Sequence, residues 1–130
     1  MLRPSRIPEL ISEMVIKYPA MKDKFTYPSD VQDLLFDCKY DHGNSGNTCT
    51  NCDRSRQVRR VARASHDPAI HYGLIASANR VVKDGRIRDI LAQELGIICF
   101  EMEAAGLMDN FPCLVIRGIC NYADSHKHKQ

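Results

Sequence analysis

The residues best suited to chemistry lie between Ile97 and Asp124. An apolar run, Gly96-Ile97-Ile98-Cys99-Phe100, stops at two carboxylates, Glu101 and Glu103, with Met102 between them. A second apolar run, Cys113-Leu114-Val115-Ile116, leads into Arg117, Asn121 and Asp124. Each run predicts a short buried strand. Polar side chains at the ends of two strands are where an α/β sheet places a ligand. Glu103 falls at a strand-to-helix junction, where free backbone N–H groups stabilise a carboxylate. An ionised carboxylate there can accept from two adjacent sugar hydroxyls, or it can serve only as a helix cap. Met102 is either core or an apolar wall under a sugar ring.

A second constellation is Cys38-x3-His42-x6-Cys49-x2-Cys52. Four soft ligands at that spacing can hold one structural zinc, with the C-x2-C pair as its knuckle. The competing reading is reduced thiols on an exposed loop. A redox pair is disfavoured, because no thioredoxin-like βαβ context surrounds the motif. Arg54, Arg56, Arg59, Arg60 and Arg63 follow, and the last four would share one face of a helix. A knuckle beside an arginine face suits a small nucleic-acid module. Against it, no aromatic is interleaved for base stacking, and Asp53 and Asp67 bracket the run. A solvated or interdomain loop is favoured, so nucleic acid is not the expected partner.

The elements that must position these groups follow from the pattern. With 130 residues and a net charge of +2, the chain holds one small domain and no charge-driven partner is implied. It contains no run of 18 apolar residues, so no membrane span is expected. The N-terminus, Met1 to Arg6, lacks the apolar core of a signal peptide. A cytoplasmic, reducing location is therefore expected, with the six cysteines as thiols or metal ligands. Residues 1–68 read as a helical, loop-rich region carrying the Cys/Arg segment. Pro8 to Lys17 predicts a helix with Leu10, Ile11, Met14 and Val15 as its buried stripe. Ala20 to Phe25 predicts a further helical turn, and Val31 to Phe36 is apolar enough to dock. Residues 69–130 read as strand (Ala69–Ser77), helix (Ile87–Leu95, capped by Asp84 and ended by Gly96), strand (Ile97–Phe100), helix from Glu103, and strand (Pro112–Ile119). That order predicts an α/β fold with an open, mostly parallel sheet covered by helices.

Phe100-Glu101-Met102-Glu103-Ala104-Ala105, then Pro112 to Arg117, then Asn121-x2-Asp124, together with Gly73-Leu74-Ile75-Ala76-Ser77-Ala78-Asn79, resemble the purine nucleoside phosphorylase and methylthioadenosine/S-adenosylhomocysteine nucleosidase superfamily. The wording from His71 to Ser125 is most similar to the phosphorylase-like domain of large fungal proteins, where it precedes NTPase, ankyrin or tetratricopeptide modules. The resemblance covers about residues 70–125. It implies the C-terminal part of a three-layer sandwich with a mostly parallel central sheet, acting on or binding the N-glycosidic bond of a purine nucleoside. By the same resemblance Glu103 grips the ribose 2′- and 3′-hydroxyls and Met102 packs on the sugar. Phe100, Val81 and Val82 lie near the base, and Arg117 supports the pocket. Asn121 takes the place of the aspartic acid that protonates purine N7. An amide donates to N7 but transfers no proton, and losing a general acid costs about 10²–10⁴ in rate. Asp124 is a candidate substitute acid or a loop-orienting residue. No cofactor is required, and inorganic phosphate would be the co-substrate of phosphorolysis.

Three functions stay open on these grounds: a weakly active phosphorylase-like or nucleosidase-like domain, a non-catalytic nucleoside-sensing or interaction module of a larger signalling protein, and a zinc-dependent nucleic-acid module. The partners expected are a purine nucleoside, with a second copy or neighbouring domains of a larger protein. The phosphate-binding loops of the resembling family precede anything seen here, and its last helix is absent. The sheet would therefore lack its first strands and leave part of its core uncovered. Circular dichroism of the 130-residue chain should then show no cooperative melting above about 50 °C, within the usual mesophile range; a sharp transition above that temperature overturns the expectation.

Overall fold

The computed structural model describes residues 5–28, 32–43 and 48–126. The chain divides into two compact units, Met1–Asp33 with Arg59–Tyr72, and Leu34–Val58 with Gly73–Gln130.

In the first unit, helix α1 spans Ile7–Lys17 and helix α2 spans Lys22–Phe25, joined by a 3₁₀ turn at Pro19–Met21. Pro8 sits in the first turn of α1, where its missing N–H costs nothing. The expected apolar stripe is only half formed. Ile11, Met14 and Val15 are half-buried, Leu10 is exposed, and α1 has no fully buried residue. The unit offers little surface to bury it against. The arginine face does not form either, because Val58 to Arg63 is not helical. Arg60 instead pairs with Asp33 at 3.1 Å, and Arg63 donates to the Asp67 carbonyl. His66 stacks on Tyr27 with ring centroids 4.1 Å apart.

In the second unit, strand β1 (Leu74–Ser77) and strand β2 (Ile97–Glu101) pair in parallel, with helix α3 (Gly85–Leu95) as the connection and helix α4 (Ala104–Met108) following β2. Parallel neighbours need a long crossover, and α3 supplies it. Asp84 caps α3 by accepting from the Arg86 N–H at 2.8 Å. Gly96 ends it in the left-handed region, φ 67°, which favours glycine. Both were expected from the residue types alone.

The fold is therefore mixed helix and strand, with a small parallel sheet. The three-layer sandwich expected from the resemblance is not what the described residues form. Their sheet has two strands. The strand expected over Ala69–Ser77 is confined to 74–77, and Pro112–Ile119 runs without ladder partners. Among the described residues no strand pairs with that segment, and most of its apolar side chains are exposed. Leu114 is 86% exposed and Ile116 83%.

The buried cluster of this unit comes from an earlier part of the chain. Leu34, Phe36 and Cys49 are buried together, with Tyr40 and Cys52 against them. Residues 35–37 and 56–58 run antiparallel, through Asp37 N–H to Arg56 O (2.9 Å) and Val58 N–H to Leu35 O (2.8 Å). The Phe36 ring stacks on His126 at 4.4 Å, and Tyr40 stacks on the same imidazole at 5.2 Å. The start of α3 lies so close to this segment that a Cβ on Gly85 would stand 3.1 Å from the Cys38 Cα. Phe36 is 1% exposed, so Phe36→Ala should cost about 3–5 kcal/mol, the usual range for a buried aromatic. A urea titration followed by circular dichroism reads the shift in midpoint, and a change under about 0.5 kcal/mol would show that the ring carries no core.

Candidate functional site

The strand ends open on one cleft of about 440 Å³, within the range of small-molecule pockets. Its walls come from four places. The turn after β1 gives Ala78 and Arg80–Val82, and α3 gives Arg88, Asp89 and Ala92. β2 and the residues after it give Ile97–Glu103, and the last segment gives Arg117–Ala123. Phe100, Met102, Glu103, Val81, Val82, Arg117 and Asn121 all line it. Seven residues named on sequence grounds therefore share one cavity.

The carboxylate that builds this cleft is Glu101. It is 4% exposed, and its Oε2 accepts from the backbone N–H groups of Glu103 (2.8 Å) and Ala104 (2.7 Å). These are the orphan donors at the start of α4. The Ser77 hydroxyl beside it, those two N–H groups and the Arg117 guanidinium hold the Glu101 carboxyl below the usual carboxylate range, against the opposing effect of burial. Ser77 in turn accepts from the Ala105 N–H at 3.1 Å, and the Glu101 carbonyl accepts from the Ala78 N–H at 2.8 Å. One carboxylate thus fixes the end of β1, the end of β2 and the first turn of α4.

That arrangement removes the capping role from Glu103. Its side chain makes no cap hydrogen bond to α4, because Glu101 has taken the donors. Glu103 stands 61% exposed at the cleft, paired with Arg117 at 3.1 Å. A surface pair of this kind adds at most about 1 kcal/mol, so it orients the carboxylate without locking it. Met102 is 45% exposed beside it, and so is not core.

Asn121 sits in a tight turn. Its Oδ1 accepts from the Ala123 N–H at 2.9 Å, and Ala123 takes a left-handed φ of 52°. Its Nδ2 lies 3.2 Å from Cys120 Sγ. Asp124 is turned inward. It is 6% exposed, accepts from the His126 N–H at 2.9 Å, and lies 3.5 Å from Arg88. Arg88 also donates to the Tyr122 carbonyl at 2.8 Å, so α3 holds this turn. Asp124 is thus the loop-orienting residue of the two readings. The Cys99 thiol, also on the cleft, is pushed up by burial and stays protonated. Glu101 and Arg88 were the residues that sequence reasoning missed. The E-x-E-A-A wording held a signal for Glu101, since two carboxylates cannot both cap one short helix, whereas Arg88 had none.

The Cys/His segment forms a second group. Ligand atoms of His42, Cys49 and Cys52 all lie within 4.8 Å of one another. Cys38 is not part of it. Its thiol hydrogen-bonds Asp89 on α3, which also raises its pKa. The expected four-ligand set is thus corrected to three, because Cys38 is drawn to the helix. All six cysteines are free thiols. Burial, with a hydrogen bond from the Cys49 thiol to Cys52 second, pushes Cys49 up to about 11.

Against known proteins, the chain is 43% identical over 122 residues to a "Nucleotide-binding leucine-rich repeat (NLR)-like protein" of the fungus Hyaloscypha variabilis. The match takes in 92% of this chain and 12% of that protein. No family model matches the chain, and no solved structure matches it. Among the described residues, no helix is long and apolar enough to cross a membrane.

The depressed pKa of Glu101 sets a pH dependence. The folded form holds the carboxylate charged more strongly than the unfolded chain does, so its contribution is full above the ordinary glutamate pKa of about 4.3. That contribution is lost as pH falls from there through the lower folded value. Urea midpoints measured between about pH 3 and 6, straddling that pKa, should fall with acid in the native chain and flatten in Glu101→Gln; parallel curves for the two proteins would remove Glu101 from this role.

Proposed function

We propose that this chain is a non-catalytic, purine-nucleoside-binding segment of a larger signalling protein. Its likeness to a stretch of an NLR-like protein supports the setting, and the wording of residues 70–125 supports the ligand class. The observation that carries the non-catalytic part is the absence of a free acid where the base would lie. Asn121 cannot transfer a proton, and its side-chain oxygen is already committed to the Ala123 N–H. The nearest carboxyl in that turn, Asp124, is buried between Arg88 and the His126 N–H. The Cys99 thiol is protonated and supplies no nucleophile.

In this reading the cleft recognises and does not cleave. Glu103, exposed and charged, accepts from the two ribose hydroxyls, and Arg117 keeps it aimed across the cleft. Met102 lies along the sugar, and Phe100 with Val81 and Val82 lines the space for the base. Asn121 Nδ2 donates to the base. A nucleoside held this way bridges Glu103 after β2 and the preformed Asn121–Asp124 turn, and the larger protein reads that bridge.

Calorimetric titration with adenosine, inosine and methylthioadenosine, run beside an assay for free base, tests both halves. Binding without base release is expected. Glu103→Ala should weaken binding about 10–100-fold, the equivalent of one or two charged hydrogen bonds. Release of free base at enzymatic rates would return the chain to the phosphorylase or nucleosidase class, and failure of all three to bind would remove the nucleoside.

A further inference from the structure

Outside the cleft, the densest grouping of metal-binding atoms among the described residues is on the loop between Cys38 and Asp53. We propose that His42, Cys49 and Cys52 bind one zinc ion, which ties His42 to the Cys49–Cys52 turn.

The ligand geometry comes first. The three side chains bring their ligand atoms within 4.8 Å of one another with no ion present. The Cys49–Asn51 3₁₀ turn, closed by the Cys52 N–H on the Cys49 carbonyl at 3.2 Å, joins the two cysteines in one short knuckle. His42 Nε2 lies 3.1 Å from the Thr48 carbonyl oxygen, which holds the ring in place. In the neutral ring that donates through Nε2, Nδ1 is the nitrogen that can take the ion. Fixing the ring through its other nitrogen is how metal-binding histidines are oriented.

The support around the ligands comes next. Cys49 is 2% exposed in the Leu34–Phe36 cluster, and the Asp53 N–H donates to the Tyr40 hydroxyl at 2.8 Å. The His42 N–H donates to Ser125 Oγ at 2.9 Å, and Cys49 Sγ lies 3.7 Å from the His126 carbonyl. A metal on this loop therefore acts directly on residues 125 and 126, next to the cleft turn.

The donor set selects the ion. Two sulfurs and one imidazole, with no carboxylate, disfavour magnesium and calcium, which take oxygen ligands. They suit zinc in tetrahedral geometry, with water or a ligand from elsewhere at the fourth corner. Zinc enters as the two thiol protons leave, so the ion and two thiolates sum to no net charge.

The test uses the 130-residue chain under reducing conditions. The purified protein should carry about one zinc per chain, as a single-ion site requires. Titration of the metal-free chain with Co²⁺ should give the ligand-field bands of a tetrahedral site and a thiolate-to-cobalt charge-transfer band. Cys49→Ser and Cys52→Ser should each lower Co²⁺ affinity by more than about tenfold, the loss that even a supporting residue produces. Cys38→Ser should keep the native spectrum. Because Co²⁺ binding is read on the unaltered chain, misfolding of a serine variant leaves the test intact. The proposal is overturned if the native chain holds no zinc and shows no charge-transfer band. It is equally overturned if Cys38→Ser abolishes the band, or if Cys49 and Cys52 are found joined as a disulfide.

Discussion

The second unit depends on one buried carboxylate. Glu101 ends β2, and its Oε2 takes the first free N–H groups of α4 while the Ser77 hydroxyl stands at its side. Removing a charge from water is costly unless hydrogen bonds replace the solvent. At Oε2 the replacement is backbone, which cannot swing away, while Oε1 is buried without a hydrogen bond of its own. Glu103 is released from capping and is exposed at the cleft, Met102 is exposed beside it, and Arg117 has a partner to align with.

A second organising contact lies far away in sequence. The His126 imidazole stacks on Phe36 and Tyr40, the His42 ring stands edge-on to it at 5.5 Å, and Cys49 Sγ lies 3.7 Å from its carbonyl. This joins residues 34–58 to the end of the described chain, and Arg88 joins that same end to α3. The Asn121–Asp124 turn is therefore held from two sides. A ligand that meets Asn121 meets a turn whose backbone is already set, which lowers the ordering cost of binding.

Local signals in the sequence were read well where one residue type has one physical use. Asp84 capped α3 and Gly96 ended it, because an aspartate side chain reaches its own helix N–H groups and only glycine takes a left-handed φ at low cost. The place of Phe100 to Glu103 was legible for a related reason. The end of β2 is marked by the change from apolar to polar, whereas Arg117 and Asn121 follow a run that forms no strand. The arginine face did not form and the stripe of α1 is only half covered, since periodicity states which residues share a side only if a helix exists and a surface is there to cover it. Cys38 was misplaced for a similar reason. Spacing makes four ligands equivalent, whereas Asp89 on α3 takes one of them away.

The sequence by itself determined the β1–α3–β2 order and the caps of α3, because each follows from neighbours within a few positions. Only the tertiary structure decided which residues line the cleft, which of two carboxylates is buried, that Asp124 is turned inward, and which three of four metal-ligand candidates converge. Those choices turn on partners distant in the chain: Ser77 and Arg117 for Glu101, Arg88 for Asp124, and Asp89 for Cys38. A hydrogen bond or ion pair is made once, by whichever group the fold brings within reach, and no spacing rule records which group that is.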